Sequence, residues 1–320
     1  MKGVFLDLST VDRGDLNLDP LQQALPDWVF FQRTAPEQIS KRIEDAEIVV
    51  TNKVVLDADT IATAPRLRLI CAAATGTNNI DLNSTAKRGI VVCNARDYAT
   101  DSVVQHVFAL LLTLVTRMDA YRADIRAGRW SESEQFCLLD HPIRTLAGMH
   151  LGIVGYGVLG QATARLAAAF GMRVSVAGSL RPDVSGADDR PPLDDLLPRL
   201  GALSLHCPLT ERTRNLIDAR RLSKMPAGSL LINTARGGLI DPDALASSLR
   251  SGHLGGAGID VVDPEPPPAD HPLLAPDIPN LVLTPHTAWA ARGARQNAID
   301  EIRANIEAFA AGTPRNVVAP

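Results

Sequence analysis

Residues 150–160 read His150-Leu151-Gly152-Ile153-Val154-Gly155-Tyr156-Gly157-Val158-Leu159-Gly160, and the helix-like QATARLAAAF (161–170) follows. An apolar strand, then G-x-G-x-x-G, then a helix is the order a dinucleotide-binding turn requires. Gly155 permits the tight turn, Gly157 lets the backbone approach a pyrophosphate, and Gly160 lets the helix pack close to the strand. The helix N-terminus supplies amides and a positive dipole. A glycine-rich turn with no ligand is the simpler alternative, but strand, spacing and helix agree on the dinucleotide.

Further short apolar runs follow: RVSVAG (173–178), ALSLHC (202–207), SLLINTA (229–235), GAGIDVV (256–262) and NLVLTPH (280–286). With 150–154 they make six strands, a full dinucleotide-binding sheet. Upstream, VFLDL (4–8), EIVVTN (47–52), LRLICAAA (67–74) and IVVCNA (90–95) alternate with helix-like stretches such as PEQISKRIEDA (36–46). That alternation predicts a second parallel sheet with crossover helices. Apolar spacing also predicts one long helix from about Ser102 to Arg129 and another from Ala288 to Ala311. The fold class is therefore α/β with two Rossmann-like domains. At 320 residues the chain exceeds the usual single core, and a cleft between the domains is expected.

A strand-end acid usually accepts hydrogen bonds from the adenosine ribose hydroxyls. Here RVSVAG ends in Ala177-Gly178-Ser179, and Arg181 stands where a cation meets a 2′-phosphate. NADP(H) is favoured, with NAD(H) open. The loop of residues 179–192 is polar, and Arg181 as a solvated loop residue is the plainer alternative.

Ligands of open parallel sheets bind beyond the carboxyl ends of the strands, so residues just after successive strands converge. Arg236 follows SLLINTA, Glu265 follows GAGIDVV, and His286 closes NLVLTPH. A guanidinium can hold a substrate carboxylate and polarise a neighbouring carbonyl, and an imidazole can exchange the proton that accompanies hydride transfer. A carboxylate would orient the imidazole and favour its protonated form. Surface arginine, loop acid and core histidine are the plain readings of each residue taken singly.

The formal charge is −4, from 32 basic and 36 acidic residues, which leaves no basic excess for nucleic acid or an anionic membrane. The cysteines at 71, 93, 137 and 207 show no metal-ligand or disulfide spacing, so reduced thiols and no metal are expected. Neither the N-terminus nor the apolar stretch near 107–115 suits a signal peptide or a membrane span, and the cytoplasm is the expected address.

With NTARG (233–237), DPEPP (263–267) and TPH (284–286) after GYGVLG, the chain resembles the D-isomer-specific 2-hydroxyacid dehydrogenases over nearly its whole length. The resemblance implies a flavodoxin-like substrate domain (1–98 and 287–320) around an inserted NAD(P)-binding Rossmann domain (99–286), and a homodimer. It gives Arg236, Glu265 and His286 the roles argued above. It also places Gly76 and Thr77 at the substrate carboxylate and Asp260 near the nicotinamide amide. The expected cofactor contacts are Gly155, Tyr156, Gly157, Val158, Leu159, Gly160, Ser179, Arg181, Cys207, Pro208, Thr234, Ala235 and Asp260. Those for substrate are Lys53, Thr75, Gly76, Thr77, Arg236, His286 and Trp289. QFCLLDHPI (135–143), HCPLT (206–210) and TPHTAWA (284–290) are most similar to the glycerate dehydrogenase, or hydroxypyruvate reductase, branch. Glu265 argues against formate dehydrogenases and Thr75 against phosphite dehydrogenases. The chain is expected to end without the regulatory domain of many phosphoglycerate dehydrogenases. A D-lactate dehydrogenase and an NAD(P)-sensing interaction scaffold stay open as alternatives; the cysteine and histidine spacing disfavours a zinc alcohol dehydrogenase.

Overall fold

The computed structural model describes residues 1–180 and 189–319. It divides into two compact units, Met1–Ala99 with Trp289–Pro320, and Thr100–Ala288.

The first unit holds a five-stranded parallel sheet: β1 (Lys2–Phe5), β2 (Asp27–Phe30), β3 (Ile48–Thr51), β4 (Leu69–Ala72) and β5 (Val91–Asn94), in the order β2-β1-β3-β4-β5. Successive strand residues face opposite sides, and both sides are covered, so the strands read as unbroken apolar runs. Val4, Val49, Ile70 and Val92 pack on one face with Ile39, Ile43 and Ile61. Phe5, Ile48, Val50, Leu69 and Cys71 pack on the other with Leu21, Ile299, Ile302 and Ile306, the last three from the helix Arg292–Ala310. β2 is missing from the sequence-based reading. It is a short edge strand whose residues are exposed or half-buried, so it carries no strong apolar signal. The predicted helix at 36–46 shortens to a 3₁₀ turn, Pro36–Gln38, and the helix Ile39–Ile43.

The second unit holds β6 (His150–Val154), β7 (Arg173–Val176), β8 (Ala202–Leu205), β9 (Leu230–Asn233), β10 (Gly256–Ile259) and β11 (Leu281–Leu283) in one parallel sheet, ordered β11-β10-β9-β8-β6-β7. One face packs on the helix Thr100–Thr116 through Val104, Val107, Leu111 and Leu114. The other packs on Leu193, Leu197, Leu245 and Leu249.

The single helix predicted over Ser102–Arg129 is two, Thr100–Thr116 and Met118–Arg126, bent by 59°. Arg117 between them is left-handed, with φ 55°, and the Arg144 N–H donates to the Val115 carbonyl at 2.9 Å. The apolar face ends at Val115, so beyond it little burial holds the helix straight. Among the described residues no single helix is long and apolar enough to cross a membrane. All four cysteines are free thiols.

Candidate active site

The Gly155 turn closes at the point where β6 meets β8. Gly155 has φ +91°, and a Cβ there would lie 2.6 Å from the His206 carbonyl and from the Cys207 amide nitrogen. Gly160 is as constrained, since its Cβ would lie 2.1 Å from the Gly155 oxygen. Gly157 differs. It precedes the helix Val158–Ala169 with no side-chain cap, and among the described residues a Cβ there would meet nothing within 4 Å. An open approach above uncapped helix amides fits a dinucleotide pyrophosphate. Thr234, just after β9, adds a buried hydroxyl without a hydrogen-bond partner among the described residues. Burial pushes the Cys207 thiol up to about 11, so it stays protonated, and pushes the neighbouring His206 down to about 4.

Arg236, Glu265 and His286 follow β9, β10 and β11, three adjacent strands. Buried Asn233 clamps the first loop: its Nδ2 donates to the Arg236 carbonyl oxygen at 2.8 Å and its Oδ1 accepts the Ala235 N–H at 3.0 Å. The Arg236 guanidinium donates to the Ala235 carbonyl at 2.7 Å. His286 Nδ1 lies 2.6 Å from Glu265 Oε2, and Glu265 Oε1 accepts the Val262 N–H at 3.1 Å. An imidazole that donates from Nδ1 to a carboxylate leaves Nε2 for a reacting group.

His286 is itself left-handed, with φ 53°, and Asp260 holds its loop. That carboxylate, on a residue 1% exposed, accepts Thr284 Oγ1 at 2.6 Å and the amides of Thr287 at 2.8 Å and Ala288 at 2.9 Å. The final helix, predicted over Ala288–Ala311, starts only at Arg292, and the Ala288 amide ahead of it is held by Asp260. His106 Nε2 sits 2.9 Å from Thr284 Oγ1. Because the threonine hydrogen goes to Asp260, His106 must donate, which fixes its Nε2–H tautomer. Helical spacing places His106 only on a core face, and nothing local pairs it with residue 284.

Ser179 and Pro208 lie at the ends of the β7 and β8 segments, and Tyr156, Val158 and Leu159 form the exposed to half-buried lip of the turn. Arg181 lies outside the described residues. Arg190, which the sequence reading passed over, lies 6.0 Å above the Tyr156 ring. Lys53, Thr75, Gly76 and Thr77 belong to the first unit, in the loops after β3 and β4. Trp289 also belongs there, its ring edge-on to Tyr98 at 6.3 Å.

Residues 108–288 match the family model for the NAD binding domain of D-isomer specific 2-hydroxyacid dehydrogenases. The chain is 45% identical over 283 residues to a glycerate dehydrogenase of Methylorubrum extorquens, covering 88% of each. It is 36% identical over 323 residues to a hydroxypyruvate reductase of Blautia hydrogenotrophica, covering 99% of each. The crystal structure of the TT0316 protein of Thermus thermophilus superposes over all of both chains with a TM-score of 0.87 at 34% identity. An acyclic imino acid reductase in complex with NADPH and D-Arg superposes over 99% of this chain and 100% of its own, with a TM-score of 0.87 at 27% identity. With the nucleotide turn and the histidine–glutamate pair on one sheet, these matches show that the chain belongs to the D-isomer specific 2-hydroxyacid dehydrogenases, nicotinamide-dependent oxidoreductases of 2-keto and 2-hydroxy acids.

Proposed function

We propose that this protein reduces hydroxypyruvate and glyoxylate to the corresponding 2-hydroxy acids, with NADP(H) favoured over NAD(H). The 2.6 Å contact between His286 and Glu265 carries the catalytic reading, because it orients a proton donor beside a nucleotide site. When bound, the nicotinamide supplies the hydride. Arg236 holds the substrate carboxylate and polarises the C2 carbonyl, and His286 Nε2 delivers the proton to the carbonyl oxygen. Glu265 holds the imidazole in the donating orientation. Gly76 and Thr77 assist at the carboxylate, Lys53 and Thr75 also contact the substrate, and Trp289 restricts the pocket. In this reading residues 1–98 and 287–320 form the substrate domain and 99–286 the cofactor domain.

The names of the relatives support the substrate, and the missing acid at Gly178 supports NADP(H). Ser179, Arg181 and Arg190 are the candidate phosphate ligands. Phe136, 90% exposed, and Leu139 and Ile143 nearby support a homodimer through the second unit, since apolar side chains this exposed mark protein contacts. The cytoplasm is the proposed address. Steady-state rates with hydroxypyruvate, glyoxylate, pyruvate and phenylpyruvate, each with NADPH and NADH, test the reading. Equal or better efficiency on phenylpyruvate overturns the substrate, and no oxidation of either cofactor favours the scaffold alternative.

A further inference from the structure

The first unit contains a cavity of about 700 Å³ at the carboxyl ends of β1, β2 and β3. Its walls come from Asp7 to Arg13 after β1, Arg33 and Thr34 after β2, and Lys53 to Val55 after β3. In this sheet the chain passes from β1 to β2 on one side, then crosses to β3 on the other. An open parallel sheet leaves a ligand crevice at that reversal, because the flanking connections run off in opposite directions. The volume suits a small metabolite.

Asp7 builds the floor. Its carboxylate, on a residue 3% exposed, accepts the amides of Asn52 at 2.9 Å, Lys53 at 2.6 Å and Val54 at 3.3 Å, which ties the loop after β1 to the loop after β3. Burial raises its pKa against the pull of those amides. Thr10 Oγ1 donates to the Asp7 carbonyl at 2.7 Å and accepts from Asn52 Nδ2 at 3.0 Å. The floor is thus fixed by bonds that leave Asp7 little capacity for a ligand.

The rim is cationic. Arg13, Arg33 and Lys53 line it, against the carboxylates of Asp7 and Asp57. Asp57 is engaged too, since it accepts the Thr60 N–H at 2.8 Å as a helix cap. Among the described residues neither the Arg13 nor the Arg33 guanidinium has a hydrogen-bond or ion-pair partner. Arg42 close by is occupied, donating to the Arg33 carbonyl and to Thr34 Oγ1, each at 2.6 Å. Two uncommitted planar forks over a preformed polar floor suit a phosphate, whose oxygens accept from both.

We propose that this cavity binds a small organic phosphate monoester, with the phosphate between Arg13 and Arg33 and the organic part against Val54, Val55 and Ile39. Gly76 and Thr77, assigned above to the substrate carboxylate, do not line it; Lys53 is shared.

Calorimetric titration of the full chain without nicotinamide, using glucose 6-phosphate, inorganic phosphate and glucose, tests the site independently of turnover. Glucose 6-phosphate should bind roughly tenfold more tightly than inorganic phosphate, and glucose should not bind. Arg13→Ala with Arg33→Ala should lose roughly tenfold or more for both phosphates while melting and NADPH titration stay as in the wild type. Arg13→Lys with Arg33→Lys should keep part of the affinity, which guards against misfolding of the alanine variant. No heat with millimolar glucose 6-phosphate, unchanged affinity in the alanine variant, or equal affinity for ester and inorganic phosphate overturns the proposal.

Discussion

His286 Nδ1 is held 2.6 Å from Glu265 Oε2, and the other oxygen of the same carboxylate is anchored to the Val262 amide. The imidazole is therefore fixed to the backbone through one side chain, so its orientation does not depend on substrate.

His286→Gln should retain cofactor binding and lose turnover by about 10²–10⁴-fold, because an amide hydrogen-bonds the carbonyl without exchanging a proton. Glu265→Gln should fall less far, since it keeps an acceptor for either contact but loses the charge. Stopped-flow reduction rates alongside nucleotide titration separate the two effects; near-normal rates in both variants would remove the pair from the mechanism.

The glycines of the nucleotide turn should separate cleanly. Gly155→Ala puts a Cβ 2.6 Å from backbone atoms in a left-handed conformation, so both melting temperature and cofactor affinity should drop. Gly157→Ala meets no atom of the described residues within 4 Å and should melt as the wild type does, yet bind NADPH and NADH more weakly. A Gly157→Ala protein with unchanged affinity for both would show that the pyrophosphate does not cross that position.

Cofactor choice has a second handle besides residue 178. Arg190→Ala should weaken NADPH by roughly tenfold relative to NADH, the scale of one charge-assisted hydrogen bond. Gly178→Asp should move the ratio towards NADH with some loss of stability. The Gly178 N–H donates to the Pro191 carbonyl at 2.8 Å, and a Cβ would sit 3.1 Å from the Arg190 carbonyl. Paired fluorescence titrations decide; a constant NADPH/NADH ratio in Arg190→Ala excludes that guanidinium as the phosphate ligand.

His206 makes stability acid-sensitive. Burial lowers its pKa from 6.5 to about 4, so between those values the unfolded chain binds a proton that the folded chain does not. Its contribution is flat above pH 6.5, falls as pH drops towards about 4, and is fully lost below that. Urea midpoints measured across this window should fall less steeply in His206→Gln than in the wild type. Parallel curves would assign the acid sensitivity elsewhere.

Much of the fold is legible locally. Unbroken apolar runs such as Ile48–Thr51 and Leu230–Asn233 announce strands buried on both faces, and G-x-G-x-x-G between strand and helix announces a nucleotide turn. The placement of Arg236, Glu265 and His286 at or just beyond the ends of strand-like runs is legible too. The tertiary structure decided what depends on distant partners. β2 forms only because β1 offers an edge, and Arg117 turns left-handed where burial stops and residue 144 takes the helix carbonyl. The His106–Thr284–Asp260 chain joins residues 178 and 24 positions apart, and Asp7 reaches Lys53 across 46. Periodicity records which face of an element is buried, so the sequence alone specifies the layers. A hydrogen bond between remote side chains leaves no periodic trace, and it exists only once the strand order has brought their loops together.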